Sequence, residues 1–432
     1  MQVPRRVWSS TALLVAGRLF GSACTLVTLA LLARRLEGEP FGRLTFYLAV
    51  FLVLDAFVIL GTGQAAVQRS AADESELHAV LRTARRVRVA TGLLGVAAVG
   101  LGAVAAGEPG AGWILVASLY PLTHVLELST LVFKNRIAWG RPVAVRAVAS
   151  ALSLAFVLLA WGLGSARPEH FLVAIAGGSA VGNVLLHLVG RRHLPERAER
   201  PAPMGPFLRA ALPMGAAALV QQLYFWVDNV FVRAIEGDAE LGRYNLAVRV
   251  MSFAIMAAAY ASLAALPWLT REHAAGRLTA ALARLAQPTL ALAAFGAGLV
   301  WPLAEAVLEL LGGDAAFRGA GPSLRWLLLA TVAVYAGAPL LTGVVAAGRS
   351  GAVLSISIAA LAVNLAGNAW LVPLRGIEGA AIATAATEAV VVLGATVALA
   401  RQGVHSWRER PALWLLGLPA FALGRVVAAL VL

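Results

Sequence analysis

Long runs of hydrophobic residues, each bounded by short polar and arginine-rich stretches, recur from residue 11 to the end of the chain. A run of about 20 apolar residues is long enough for an α-helix to cross the hydrocarbon core of a bilayer. The pattern predicts an all-α polytopic membrane protein whose thirteen candidate spans lie near residues 11–33, 43–61, 87–106, 112–133, 142–163, 168–190, 208–232, 241–269, 286–306, 324–347, 350–373, 376–400 and 411–431. Arg425, Pro411 and Pro419 interrupt the last span, so twelve spans form the core of the prediction.

Composition supports this assignment and narrows the class of partner. Of the 432 residues, 60% are hydrophobic and 13% are charged, whereas a soluble domain has about 25% charged residues. The net charge of +13 comes from 34 Arg and one Lys that lie between the apolar runs rather than in a basic domain, so no nucleic-acid partner is expected. The single cysteine, Cys24, excludes an intramolecular disulfide and a multi-cysteine metal site.

The distribution of basic residues predicts the orientation in the membrane, because cytoplasmic loops carry an excess of Lys and Arg. With a cytoplasmic N-terminus, and with basic residues near span ends counted in the adjoining segments, 23 basic residues fall in cytoplasmic segments and nine in outer segments, which leaves Arg18, Arg249 and Arg425 deeper inside spans. The stretch 21–24 faintly resembles a lipoprotein cleavage box. Because Arg18 interrupts the apolar stretch before it, the first helix is expected to be retained.

Two pairs of similar segments indicate an internal duplication. Residues 37–44 (EGEPFGRL) are repeated at 236–244 (EGDAELGRY), with an offset of 199 to 200, and residues 138–145 are echoed at 347–353, with an offset of 208. Two echoes at nearly one period predict two six-helix lobes of the same orientation, related by an axis along the membrane normal. The predicted parts are an N-terminal lobe (1–190), a basic and proline-rich cytoplasmic linker (191–207), a C-terminal lobe (208–401) and a further transmembrane segment (402–432).

Three stretches resemble a known family: residues 31–42 (LLARRLEGEPFG), residues 212–247 with the segments YFWVD and LGRYNLA, and residues 371–384 (LVPLRGIEGAAIAT). They are similar to polysaccharide-biosynthesis flippases of the Wzx type, in the superfamily that also holds MATE multidrug exporters and the lipid II flippase. The resemblance implies a MATE-like fold and a non-enzymatic function. That function is to move a polyprenyl-diphosphate-linked oligosaccharide from the inner to the outer leaflet of a bacterial inner membrane by alternating access.

Such a substrate needs a polar, cationic cavity, because an unpaired diphosphate is very costly in hydrocarbon. Arg18 and Arg249 are the predicted diphosphate contacts, since a guanidinium stays charged and matches phosphate oxygens bidentately. Structural ion pairs with Asp55 or Asp228, or snorkelling to the membrane surface, are the alternatives. Hydrogen-bonding groups expected to contact sugars, or else to hold helices together, are Gln221, Gln222, Asn364 and Asn368.

Four carboxylates inside spans are expected to face inward, because an uncompensated charge facing lipid is costly. These are Asp55, Glu127, Asp228 and Glu388. They either bind a coupling ion, H⁺ or Na⁺, or lock helices together by pairing with arginines. For Asp228 the resemblance favours a functional role. His124 and Glu127, three residues apart, match a metal site only weakly, so no metal or other cofactor is expected.

Two alternative functions remain open. A MATE-type multidrug exporter has the same composition, although the abundance of arginine in the chain over the four carboxylates inside spans argues against cationic drugs as the substrate. A polytopic membrane glycosyltransferase is the alternative from a different class, since Glu37 and Glu39 resemble the outer acidic pair of such enzymes. Against it, the outer connections are short and no nucleophile elbow, phosphate-binding loop or zinc motif occurs. Polysaccharide-assembly proteins are possible further partners at the cytoplasmic loops.

Overall fold

The computed structural model describes residues 5–70, 76–136, 138, 140–194, 201–405, 425 and 428–429. Regular structure in this part of the chain is helical, without strands. Ten of its helical segments are long and apolar enough to cross a membrane. The predicted all-α polytopic fold is confirmed. The thirteenth predicted span, 411–431, lies almost entirely outside the described residues, as do residues 195–200 of the predicted linker.

Sixteen α-helices follow one another along the described residues. Those before residue 195 are α1 (Arg5–Leu36), α2 (Gly38–Ile59), α3 (Thr62–Ser70), α4 (Leu77–Val96), α5 (Gly102–Ala105), α6 (Ala111–Ala117), α7 (His124–Glu127), α8 (Leu131–Asn135), α9 (Gly140–Gly162) and α10 (Pro168–Arg191). Those after it are α11 (Met204–Trp226), α12 (Asp228–Ala274), α13 (Leu278–Val300), α14 (Ala304–Gly312), α15 (Gly321–Ala346) and α16 (Ser350–Ala400). A π-helical turn, Ala97–Leu101, joins α4 to α5.

Two of the ten membrane-length segments each contain two of the predicted spans. The segment Met204–Ala274 breaks at Gly237, where φ is 85°, and α16 breaks at Gly376, where φ is 57°. Glycine adopts positive φ without the clash that a Cβ atom causes, so both breaks fall where the sequence allows them. Divided at these glycines, the ten segments give the twelve spans of the predicted core.

The fourth span is not the continuous helix that the apolar run 112–133 predicts. Between α6 and α8 it contains the 3₁₀ turns Tyr120–Thr123 and Leu128–Thr130 on either side of the short α7. Pro121 lacks a backbone N–H, and Thr123 and Thr130 donate side-chain hydrogen bonds to the carbonyl three residues earlier, at 2.6 and 2.8 Å. Both effects favour tight turns over a regular α-helix.

The described residues pack into two compact units. The first comprises Met1–Thr28 and Leu44–Leu223, and the second comprises Leu29–Arg43 and Tyr224–Leu432. The core of the first joins α3, α4, α8 and α11 through residues such as Leu81, Val132 and Phe207. The core of the second joins α13, α15 and α16 through residues such as Leu282, Leu340 and Val391. The lobe boundaries drawn from the duplication stay a prediction.

Within the second unit, the two repeated turns touch each other at equivalent glycines. A Cβ atom on Gly42 would lie 1.6 Å from the carbonyl oxygen of Asp238, and one on Gly242 would lie 3.0 Å from the backbone nitrogen of Gly42. Arg43 adds an ion pair to Asp238 with an Nε–Oδ2 distance of 3.9 Å. Self-contact between equivalent residues is typical of a two-fold arrangement, so this geometry favours the duplication.

Candidate functional site

The two carboxylates predicted in the first unit meet at one histidine. Asp55 lies on α2, and His124 and Glu127 lie on the broken fourth span. His124 Nε2 is 3.0 Å from Asp55 Oδ1, and His124 Nδ1 is 3.1 Å from Glu127 Oε2. The hydroxyl of Tyr120 donates a hydrogen bond to the other oxygen of Asp55. The two carboxylates therefore share a buried imidazole, which is 6% exposed.

Polar contacts continue from this histidine group to α9 and α10. Arg146 Nη2 lies 2.8 Å from Glu127 Oε1, and Arg146 Nη1 donates to Asn183 Oδ1 at 3.4 Å. Asn183 in turn donates to the hydroxyl of Thr123 at 2.9 Å. The side chain of Arg146 is 45% exposed, although its bonding partners are largely buried. This arginine thus connects the buried polar group to accessible space.

A second arginine, Arg88, is buried inside the first unit, although it lies at the start of the predicted span 87–106 and was counted among the 23 cytoplasmic basic residues. Arg88 on α4 is 4% exposed, and it donates to the hydroxyl of Thr62 at 2.8 Å and to the carbonyl oxygen of His124 at 2.6 Å. Because Arg85 and Arg86 lie close to it in the sequence, Arg88 was interpreted as part of a charged loop. The apolar residues on both sides of it, Val87 and Val89, were the available signal for burial.

Arg18 is exposed on α1, on a helix that packs closely on α9. A Cβ atom on Gly17 would lie 2.2 Å from Val143. The charges of Arg18 and Arg146 both act on Lys134, which is also exposed. Among the described residues Arg18 forms no ion pair, and the alternative pairing with Asp55 is not formed, because that carboxylate is bound by Tyr120 and His124. Exposed positive charge therefore collects on this part of the first unit.

In the second unit, Asp228 is fixed by neighbours that donate to both of its oxygens. Its Oδ1 accepts hydrogen bonds from the backbone and side-chain nitrogens of Asn229, at 2.8 and 2.9 Å. Its Oδ2 accepts one from the hydroxyl of Tyr244, at 2.5 Å. Asn245 extends the network by donating to Asn229 Oδ1 at 2.7 Å, and Thr384 lies 3.5 Å from the Tyr244 hydroxyl. Tyr244, Asn245 and Thr384 were not among the predicted site residues.

Arg249 on α12 has a different environment from the other buried polar groups. Its guanidinium carbon lies 4.9 Å from the centre of the Trp226 ring. Its Nε is buried and has no hydrogen-bond partner. The alternative ion pair with Asp228 is not formed, since that carboxylate is bound by Tyr244 and Asn229. Within the described residues, Arg249 is thus a cation held against an aromatic face without a carboxylate.

The remaining predicted residues differ in whether their side chains form hydrogen bonds. Glu388 on α16 is 4% exposed, and it makes no hydrogen bond or ion pair with another residue in the described ranges. Asn368, also buried, donates to the backbone and side-chain oxygens of Asn364 at 2.9 and 3.0 Å. Gln222 donates to the carbonyl oxygen of Leu52 on α2 at 3.3 Å and so holds α11 to α2.

Gln221, the neighbour of Gln222, is exposed on α11. Nowhere in the described part of the chain do three or more His, Cys, Asp or Glu side chains come together as a potential metal site. The polar groups of the two units therefore offer charge and hydrogen bonds for binding.

Comparison with known proteins places this geometry in context. Residues 7–273 match the family described as "Polysaccharide biosynthesis protein", and residues 213–370 match the family described as "MatE". No curated protein sequence matches the chain.

Several solved structures of transporters have a fold similar to that of this chain. A lipid II flippase, MurJ, in an inward closed conformation is 13% identical, with a TM-score of 0.75 over 97% of both chains. A MATE transporter of Vibrio cholerae, VcmN, is 16% identical, with a TM-score of 0.65 over 95% of this chain and 100% of that one. A MOP superfamily transporter of Pyrococcus furiosus is 15% identical, with a TM-score of 0.66 over 97% of this chain and 95% of that one. The MATE-like fold predicted from the sequence is confirmed.

Proposed function

This chain belongs to the polysaccharide biosynthesis protein family, and on that premise we propose that it is a non-enzymatic flippase. Its substrate is an oligosaccharide linked to a polyprenyl diphosphate, which it moves from the inner to the outer leaflet of a bacterial inner membrane. The N-terminus lies on the cytoplasmic side, as the arginine distribution indicates. Alternating access, in which a polar cavity opens to each side in turn, is the proposed mechanism.

The observation that carries the proposal is the pair of span arginines without carboxylate partners. An arginine at the centre of a membrane helix costs about 2.5–3.5 kcal/mol on insertion scales. A cation–π contact such as that of Arg249 with Trp226 returns only about 0.5–2 kcal/mol. The cost that remains is offset when an anionic ligand binds. Arg18, which is exposed and has no ion pair among the described residues, is available in the same way.

A diphosphate fits these cations better than a monovalent anion does. Its oxygens accept bidentate hydrogen bonds from guanidinium groups, and its charge matches more than one arginine. Lys134 and Arg146, whose charges act together with that of Arg18, extend the cationic surface of the first unit. The lipid tail of the substrate stays in the bilayer while these groups replace the water around its headgroup.

The coupling ion is proposed to be H⁺ or Na⁺ at Glu388, assisted by Asp228. Glu388 is the buried carboxylate whose oxygens are not engaged by another described residue. Asp228 already accepts three hydrogen bonds, so fewer of its lone pairs are available. The variant E388Q is expected to abolish the dependence of transport on the ion gradient, whereas a gradient dependence equal to that of the wild type would contradict this assignment.

The experiment replaces Arg18 and Arg249 separately with Ala and follows two quantities in cells. These are the amount of surface polysaccharide and the accumulation of its lipid-linked precursor. Each variant is expected to lower the first and raise the second. R277A is the matched control, because Arg277 is exposed and pairs with Glu272 at 2.8 Å outside the proposed site. Normal export in both variants would refute the anion-binding role.

A second candidate function is export of a small hydrophobic compound, which the match of residues 213–370 to the MatE family supports. Measurement of drug resistance in the same strains distinguishes the two functions. A drug exporter would lose resistance in R249A without accumulating a lipid-linked sugar. Partner proteins of polysaccharide assembly, proposed to bind the cytoplasmic loops, would be identified by crosslinking in the same cells.

A further inference from the structure

The two hydrogen bonds at the His124 ring require a proton count that the neutral side chain does not provide. Both ring nitrogens lie within 3.1 Å of a carboxylate oxygen, one from Asp55 and one from Glu127. A neutral imidazole has one N–H donor and one lone-pair nitrogen, and an ionised carboxylate only accepts. With neutral His124, one of the two contacts would place lone pairs against each other. A proton on the second nitrogen turns that contact into a charge-assisted hydrogen bond.

We propose that His124 is a proton-binding site, where one exchangeable proton completes an imidazolium ring that donates to both Asp55 and Glu127 and so ties α2 to the broken fourth span. The inference does not depend on the substrate or on the transport cycle proposed above. Its ligand is the proton itself, and its site consists of three side chains of the first unit. The imidazole is buried, so water does not easily replace a lost hydrogen bond.

Several charged groups lie around the ring. Arg146 from α9 binds Glu127, and Tyr120 from the preceding 3₁₀ turn donates to Asp55. The charges of Arg88 and Lys134 also act on Glu127, so the second ring proton is required by the donor count of the two hydrogen bonds and not by a balance of charges. Arg88 from α4 binds the His124 carbonyl oxygen rather than the ring, and Lys134 acts on Glu127 through its charge. The facing group from α10, Asn183, is neutral.

Loss of the proton has a defined structural consequence. One N–H would then serve two carboxylates, so one of the two contacts opens. Glu127 lies on the same short helix as His124, whereas Asp55 lies 69 residues earlier on α2. The contact of His124 with Asp55, which joins α2 to the fourth span, is therefore the one that depends on the second ring proton. The hydrogen bond from Tyr120 to Asp55 does not involve the ring and persists in both states.

The test is nitrogen NMR of the full chain in lipid nanodiscs, with ¹⁵N-labelled histidine, near neutral pH. The chain has seven histidines, and the resonances missing in H124Q identify His124. We expect both of its nitrogens to carry a proton. His170 is the internal control, because its Nδ1 faces only the hydroxyl of Ser165, at 2.9 Å, and needs no second proton. A single protonated nitrogen at His124 in the wild-type chain would overturn the proposal.

A second variant tests the cause of the double protonation. In D55N the ring faces one carboxylate and one amide, so a neutral tautomer satisfies both contacts: Nδ1–H donates to Glu127 and Nε2 accepts from the amide. We expect one protonated nitrogen in this variant. Two protonated nitrogens in D55N would refute the proposed bridge. Should H124Q not fold, a chain that keeps His124 and replaces the other six histidines with Gln gives its signal directly.

Discussion

The contact between the repeated turns makes a sharp prediction for the variant G42A. A Cβ atom at this position would lie 1.6 Å from the carbonyl oxygen of Asp238, whereas ordinary van der Waals contacts lie at 3.4–4 Å. The two backbones must therefore separate by roughly 2 Å, and a rigid peptide group cannot rotate out of the way as a side chain does. Overpacking in a tight site costs about 1–3 kcal/mol, and a clash with backbone belongs at the upper end of that range.

The assay is thermal unfolding of the purified protein in detergent. For a domain of 150–250 residues, about 3 kcal/mol corresponds to a fall in the melting temperature of roughly 6–12 °C. G351A is the matched control in the same unit, since a Cβ atom there meets nothing within 4 Å. Alanine is also the better helix former, so the control is expected to melt at the wild-type temperature or above it. A wild-type melting temperature for G42A would refute the close approach of the two turns.

Two further changes in the second unit are expected to lower the free energy of unfolding, by amounts that depend on the charge of the bonding partner and on its exposure to solvent. Y244F removes the hydroxyl that donates to Asp228 and should cost about 1.5–3 kcal/mol, against about 1 kcal/mol for Y335F, whose hydroxyl donates to a neutral carbonyl. Equal melting temperatures for the two variants would contradict a charge-assisted bond at Asp228. R325K keeps the charge but loses the two-nitrogen contact of Arg325, whose Nη2 donates to both oxygens of Glu305 at 2.7 Å while its Nε donates to the carbonyl oxygen of Trp301 at 3.3 Å. Because both side chains are partly exposed, the expected loss is about 0.5–1 kcal/mol, and an unchanged melting temperature in low salt would contradict it.

The spans could be predicted because membrane insertion depends on a local property of the sequence, the length of an apolar run. The breaks at Gly237 and Gly376 agree with the predicted spans, since Gly237 lies between two of them and Gly376 is the first residue of the span 376–400. The fourth span shows where this reasoning stops. Its apolar run predicts one helix, but Pro121 and the hydroxyls of Thr123 and Thr130 favour tight turns that hydropathy does not register.

The partners of the charged side chains could not be predicted, because they depend on packing between distant segments. Asp55 binds Tyr120, 65 residues away, and His124, 69 residues away. Sequence analysis weighed arginine partners for Asp55 and Asp228, and both carboxylates instead bind tyrosine hydroxyls. A tyrosine in an apolar run reads as one more hydrophobic residue, so the sequence holds no local signal that its hydroxyl faces a carboxylate.

The contrast between satisfied and unsatisfied polar groups separates support from function in the described part of this chain. Asp55, Glu127 and Asp228 have their hydrogen bonds supplied by other residues of the same unit, so each stabilises the unit around it. Arg249 has a buried Nε without an acceptor, and Glu388 is buried without a partner among the described residues. Such groups lower the stability of the empty protein, because their charge is removed from water without compensation. Binding of an anion at Arg249 and of a cation at Glu388 would offset this loss of stability, as the proposed function supposes.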